Sequence, residues 1–446
     1  MSKQFAPPKI ILNRIRQSFA LLVTGGDWAY ALPVETQRNL RRFFYDGLFA
    51  AASDNIYLTY LTLYVLALGA TRAQIGLMSS LSNLVAALLL LPGAMLVEHF
   101  RKRKEITVIF GAGIARLMFL LLAVAPFMLI GQGLVLAVIT FSVVRDGFAN
   151  LAFPAWVSMT ADIVPMEGRG RYFGSRNFVM GIAGMLTILV IGELITRLGQ
   201  PGGYQLALGL AFALGITSTY YFSRLHEPPP SAPPTRISFA PSALWRDLRS
   251  HSSFLTLTLT AALWNFSLNI AGPFFSVYMV QNLKGTATQV GILSVVGSVS
   301  TLLFQRPLGK LADRWGAHRL QLICGLLIPI LPVCWIFTRS IWHLIPINIG
   351  SGILWGAYGL ASFNLLLELT PDEQRARYTA IYQIIIMVAL AAGAALGGLL
   401  ITKWGYIAIF LGSGIGRLVA ALLFARFVHR PAPVTEPPLL NSSPAP

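Results

Sequence analysis

The sequence predicts an all-α polytopic membrane protein of twelve transmembrane helices, arranged as two pseudo-symmetric six-helix bundles. Three observations carry this. The chain has 446 residues, 55% of them hydrophobic and only 11% charged, with a mean hydropathy of +0.66; a soluble domain carries about 25% charged residues. The apolar residues fall into twelve continuous runs. Blocks from the first half of the chain then recur in the second.

Composition alone excludes an ordinary soluble enzyme, and it excludes a disordered chain, which needs low hydrophobicity. The formal charge of +17 comes from 34 Lys and Arg against 17 Asp and Glu. Such a balance can mark a nucleic-acid binder. Here the charges cluster between apolar runs rather than along one face, so nucleic acid is not an expected partner. The two cysteines, Cys324 and Cys334, share one run. Ten residues of helix hold them about 15 Å apart, too far for a disulfide. They read as packing residues, and nothing suggests a metal site or a cofactor.

The elements follow in order. Residues 1–42 form a basic arm with no secretory signal. Within it, residues 10–23 suit either an interfacial helix or a loosely ordered arm. The first bundle spans 43–224, with runs at 43–67, 73–97, 105–129, 133–160, 173–196 and 204–224. Each is long enough for about 30 Å of hydrocarbon. Only helices or closed barrels satisfy backbone groups in lipid, and continuous rather than alternating runs mean helices. Residues 225–252 form a linker rich in proline. The second bundle spans 253–428, with runs at 253–281, 288–306, 319–338, 342–366, 378–402 and 405–428. A Pro/Ser tail closes the chain at 429–446, with no pattern that predicts structure. Lys and Arg set the orientation. The termini and even-numbered connections carry 26 of them, and the opposite side carries 5. Both termini are therefore expected in the cytoplasm, with the chain in the inner or plasma membrane.

The two halves match in several blocks. Gln74, Gly76 and Ser79 recur as Gln289, Gly291 and Ser294 at an offset of 215, which also aligns Pro92 with Pro307 and Glu98 with Asp313. At an offset of 206, Asp162, Arg169, Arg171 and Tyr172 match Glu368, Arg375, Arg377 and Tyr378. Parallel repeats of this kind put a binding site at their interface, near the bilayer midplane.

With these motifs the sequence resembles the major facilitator superfamily. Gly309, Asp313, Arg314, Gly316 and Arg319, between runs 8 and 9, are similar to that family's loop signature. The first-half counterpart departs from it, with Ala94 for the first Gly, Glu98 for the Asp and Arg101 for the second Gly. Asp162 with Arg169, and Glu368 with Arg375, resemble the acid-x6-Arg element of the family's sugar porters. The resemblance implies a cytoplasmic gate. Gly309 would let helix 8 approach a neighbour closely. Asp313 would face the N-terminus of helix 11, near Tyr378, with Glu368, Arg375 and Arg377 completing the cluster. Glu98, Asp162 and Arg169 would do likewise in the first half. These clusters would close when the protein opens outward and break when it opens inward; plain positive-inside charge is the alternative reading.

Ionisable groups at mid-membrane are expensive, about 2.5–3.5 kcal/mol on insertion scales, so each is a functional candidate. Asp54 lies about twelve residues into run 1, and Arg145 and Asp146 about twelve into run 4. Consecutive helical residues point about 100° apart, so Arg145 and Asp146 are not expected to satisfy each other. An Asp54–Arg145 pair is expected instead, either as a coupling element for a proton or cation or as a permanent ion pair. Tyr57 shares a face with Asp54, and Asn55 points elsewhere. Trp264, Asn265 and Asn269 on run 7, with Trp355 and Tyr358 on run 10, reach a similar depth. Together they suit a polar or amphipathic organic solute. Arg116 and Arg417 also lie mid-helix, in Gly-rich surroundings, where tight packing or a wet pocket is expected.

Absences add to this. No histidine lies mid-helix, so any proton coupling must use carboxylates. The family's antiporter signature on helix 5 is not present, which lowers the expectation of a drug/proton antiporter. No P-loop implies ATP drive, and no residue cluster implies an enzyme. The expected protein is a secondary active permease for a small organic molecule, of the symporter type if ion-coupled. It works by alternating access in the lipid bilayer, and the family implies a monomer. The alternatives are a lipid or lysolipid flippase and a non-transport sensor or assembly factor on the same fold.

Overall fold

A computed structural model describes residues 21–228, 252–370 and 375–428, apart from the side chains of Arg375 and Ala376. The expected interfacial helix (10–23), most of the linker and the C-terminal tail lie largely or wholly outside the described residues.

All regular structure among the described residues is helical. In the first half these helices are α1 (Val34–Ala67), α2 (Arg72–Phe100), α3 (Arg103–Met128), α4 (Gly131–Ile163), α5 (Arg169–Leu198) and α6 (Gly202–Ser223). The second half has α7 (Ser252–Gln281), α8 (Ala287–Trp315), α9 (Ala317–Ile336) and α10 (Leu344–Glu368). It ends in one long element, Arg375–Phe427, which turns at Gly405 with φ 73°. That turn divides it into α11 (375–404) and α12 (406–427). Glycine adopts this left-handed conformation at no steric cost.

The helices depart from the apolar runs for physical reasons. Helix α1 begins nine residues before the expected 43. Its first turns are polar and are held by packing: the Asn39 amide donates to the His226 carbonyl at 2.9 Å and accepts from the His226 N–H at 3.0 Å. Helix α8 continues to Trp315, past the expected 306, so Gly309, Asp313 and Arg314 sit on its last turns rather than in a loop. Charged exposed turns add nothing to a hydropathy count. Within α1, Asp54, Asn55 and four tyrosines make it less apolar than the other spans.

The repeat is visible in local chemistry. Thr71 and Gln74 form a capping box at the start of α2, and Thr286 and Gln289 form the same box at the start of α8. Each satisfies two orphan backbone donors reciprocally.

The two bundles meet along α2 with α11 and along α5 with α8. Glycines make both contacts. A Cβ on Gly76 would come 2.7 Å from the Cα of Gly398. A Cβ on Gly192 or on Gly291 would come 2.5 or 2.6 Å from the Tyr60 hydroxyl, which donates to the Ile188 carbonyl at 2.6 Å. The offsets of 215 and 206 map Gly76 onto Gly291 and Gly192 onto Gly398. The two contacts are thus one contact repeated by the pseudo-two-fold.

Hydrogen bonds between the bundles cluster at the same end. Arg72 donates to Gln281 at 3.0 Å, and Thr288 donates to Glu193 at 3.0 Å. The deepest is a 3.5 Å approach of Asn269 to Ser79. Towards the other end, which carries the basic connections, no hydrogen bond joins the bundles among the described residues. Among the described residues the bundles are closed at one end and parted at the other.

Candidate functional site

Two cavities of about 390 Å³ each lie on either side of a wall formed by α1 and α4. The first is inside the N-terminal bundle, among α1, α3, α4, α5 and α6. Its charged lining is Asp46, Asp54, Arg116, Arg145 and Arg176. The second lies between the bundles, beneath the glycine contacts. Tyr57, Asn83, Asp146, Asn150 and Asn269 supply most of its polar lining. Helix α7 breaks at its edge, where Gly272 and Pro273 interrupt the helix between Ala271 and Phe274. A broken helix at membrane depth is tolerated where it lines a cavity.

Arg145 joins the two cavities. Its Nη2 donates to Asp54 at 2.8 Å, and its Nη1 donates to Asp146 at 3.0 Å. This corrects the expectation that neighbours on one helix cannot meet. The backbone directions do diverge, but the long Arg side chain folds back across one of them. Its guanidinium lies 4.4 Å from the Tyr57 ring centre and 5.3 Å from that of Phe119, so two aromatic faces hold the cation. The Tyr57 hydroxyl donates to Asp146 at 3.2 Å. Asp54 thus faces the first cavity, Asp146 faces the second, and one cation binds both.

A further layer supports this centre. Arg116 Nη1 donates to Ser53 at 2.8 Å and lies 3.7 Å from Asp54. Deeper in the first cavity Arg176 sits 3.7 Å from Asp46, which accepts from Ser218 at 2.7 Å. Arg176 lies across α1 where Gly47 has no side chain to block it. Asp46 and Arg176 were not legible as site residues. Both fall near the ends of apolar runs, where a charge reads as a membrane boundary. Arg176 counts there among the basic connections, yet it is buried.

The other predicted solute contacts divide. Asn269 reaches the central cavity and donates to the Leu390 carbonyl at 2.8 Å. Asn55 lines the first cavity and donates to the Ala51 carbonyl of its own helix. Asn265 likewise donates within its helix, to Ala261. Trp264 and Tyr358 do not face the central cavity. Their rings stack at 4.8 Å inside the C-terminal bundle, where Trp264 is 3% exposed. Shared depth was the argument for them, but depth leaves the direction around the helix open. Trp355 lines a third cavity, of about 470 Å³, within the C-terminal bundle.

Neither Asp313 nor Glu368 of the expected cytoplasmic gate forms an ion pair among the described residues. Asp313, Arg314 and Glu368 are exposed, and Arg377 is half-buried. The Arg375 side chain lies outside the described residues. A Cβ on Gly309 would meet nothing within 4 Å, so this glycine makes no close approach here. In the first half Asp162 contacts Arg103, which also donates to Glu227 at 3.0 Å, and Arg169 turns to the carbonyls of Ala161 and Val164. The Glu98–Asp162–Arg169 cluster is therefore not formed. Arg103 reaches Asp162 first because the Glu227 carboxylate also caps the first backbone N–H groups of α3, at 3.1 Å from Arg103 and Lys104. Glu98 and Arg101 are exposed, and Arg101 ends α2 at φ 53°.

Two six-helix bundles, a polar interior and a one-sided opening define a membrane transporter of the two-repeat class. The chain belongs to the Major Facilitator Superfamily, whose sequence model matches residues 47–270 and 257–445. A Deinococcus radiodurans protein named as a sugar efflux transporter is 24% identical over 43% of this chain and 50% of its own length. The chain thus spans half of that relative. A multi-drug resistance efflux pump PmrA homolog of Lactococcus lactis is 24% identical over 86% of this chain and 93% of its own. Among solved structures, an auto-inhibited POT family peptide transporter matches with a TM-score of 0.71 at 12% identity, over 90% of this chain and 99% of that one. A D-xylose-proton symporter matches at 0.66 and 14%, over 93% and 98%. At these identities the structures speak for the fold alone.

Proposed function

We propose that this protein is a secondary transporter that moves a small organic solute through the cavity between its bundles by alternating access. Arg145 exchanges its partners Asp54 and Asp146 as a proton enters. The observation that carries this is the single guanidinium bound at once to a carboxylate in each of two cavities. Protonation of either acid releases Arg145 to the other and changes the charge facing the solute. The Lys and Arg bias favours a cytoplasmic position for the basic end. On that reading the structure is inward-facing, and the parted Asp313 and Glu368 clusters belong to that state. The Deinococcus and Lactococcus relatives both bear efflux names, which favours export in exchange for a proton over symport. Tyr57, Asn83 and Asn269 would contact the solute.

Proteoliposomes test this with an imposed pH gradient and a panel of sugars and cationic drugs. We expect uptake or release of one class to follow the gradient in the wild type. Asp54→Asn should keep exchange at equal pH and lose the gradient-driven component. Unchanged pH dependence in Asp54→Asn and in Asp146→Asn would remove the coupling role.

A further inference from the structure

The fold buries four arginines almost completely among the described residues: Arg103, Arg116, Arg176 and Arg417. Three have a carboxylate within 4 Å. Arg417, on α12 and only 2% exposed, has none among the described residues. A buried charge with no counter-charge is strongly unfavourable unless something supplies one.

The guanidinium is held in place rather than left to wander. Ser413 accepts from its Nε at 3.2 Å and from its Nη2 at 2.7 Å, and donates in turn to the Ser267 carbonyl at 2.6 Å. Helix α12 brings this pair close to its neighbours because its glycines leave room: a Cβ on Gly414 would come 3.0 Å from the Pro329 carbonyl. The rest of the guanidinium carries no hydrogen bond among the described residues, and Arg417 lines the cavity of about 470 Å³ in the C-terminal bundle. Trp335, Trp355 and Phe275 line the same space with apolar surface, and Asn348 and Ser351 add hydrogen-bonding groups. A cavity of this size holds a drug-sized molecule. One fixed cation at an apolar, aromatic-walled cavity fits a monoanion with an apolar body.

We propose that Arg417 anchors the carboxylate or sulfonate of an amphipathic organic anion in this C-terminal cavity. The site shares only Gly272 with the lining of the central cavity. It stands apart from the transport reading, since binding is measured with no gradient and no flux.

Equilibrium dialysis of the full-length protein in detergent, corrected for detergent alone, tests it with 2-naphthoate and its uncharged counterpart 2-naphthamide. The wild type should bind naphthoate at least about tenfold more tightly, the gain a charge-assisted hydrogen bond supplies. Arg417→Met should abolish that preference, and Arg417→Lys should keep part of it. Trp355→Ala should weaken both ligands. Decanoate binding more tightly than naphthoate would identify the bilayer as the source of the anion, and the reverse order a dissolved aromatic acid. Equal binding of naphthoate and naphthamide by the wild type overturns the proposal, with no variant needed. So does a preference that survives Arg417→Met, or displacement of naphthoate by chloride at equal concentration, which would mean a small inorganic anion site.

Discussion

Arg145 is the residue on which the polar interior turns. Its two acids differ in surroundings: the Asp54 side chain is 36% exposed and that of Asp146 22%. Removing the cation leaves Asp146 without a partner charge among the described residues, and leaves Asp54 with Arg116 alone, 3.7 Å away. Breaking a buried pair in this way costs about 3–5 kcal/mol. Arg145→Met should therefore lower the thermal unfolding temperature far more than Asp54→Asn, which leaves Arg145 bound to Asp146. Adding Asp54→Leu to Arg145→Met should recover part of the loss, because the two sites share one interaction. A double-mutant cycle of unfolding in detergent checks this, and additive losses would mean that the pair is not coupled. The depth of Asp54 and Arg145 was legible from their counts along the runs. The Asp146 contact was not, because side-chain reach does not appear in a helical wheel.

At the scale of elements, the closed end rests on glycines. Helices α2 and α11 touch backbone to backbone at Gly76 and Gly398, and α5 meets α8 around Tyr60. A side chain there has no room, and overpacking costs about 1–3 kcal/mol. Gly398→Val and Gly192→Val should each shift the molecule away from the state closed at this end, by about five- to 150-fold in population. In a background with both cysteines replaced, Ser79→Cys reports the shift. Its labelling by an impermeant maleimide from that side should rise with either valine. An unchanged rate would mean that the glycines are packing residues with no part in opening. The motif blocks pointed to Gly76 and Gly291 as repeat-matched positions. That Gly76 meets Gly398, and that Gly291 meets Ile188 and the Tyr60 hydroxyl, is a fact of packing, visible only when the bundles are together.

The whole molecule is two copies of one design with unequal interiors. The N-terminal bundle holds a dense, mutually paired charge network, and the C-terminal bundle holds one arginine without an acid among the described residues. Orientation belongs at this scale as well. Gln200→Cys should react with an impermeant maleimide in intact cells, and Lys102→Cys only after permeabilisation, both in the cysteine-free background. The reverse pattern would invert the protein and make the structure outward-facing. Trp264 and Tyr358 show the demands of a bundle on its own residues. They share the depth of the cavity but fill the core of one bundle, because a bundle of six helices needs its own interior before it can line anything.

The sequence by itself determined the class of the protein. Twelve apolar runs, the asymmetry of Lys and Arg, and the repeated blocks all depend on residue type and spacing along one dimension, and these survive without knowledge of packing. Membrane helices are legible for the same reason: lipid offers backbone groups no partner outside the helix. Only the tertiary structure decided which charges meet. Arg103 takes Asp162 from Arg169, Arg176 leaves the basic connections for a buried place beside Asp46, and Arg417 is left without an acid among the described residues. Pairing depends on rotation about each helix axis and on the distance between axes. Small residues such as Gly47, Gly76 and Gly414 set that distance through contacts far away in the chain.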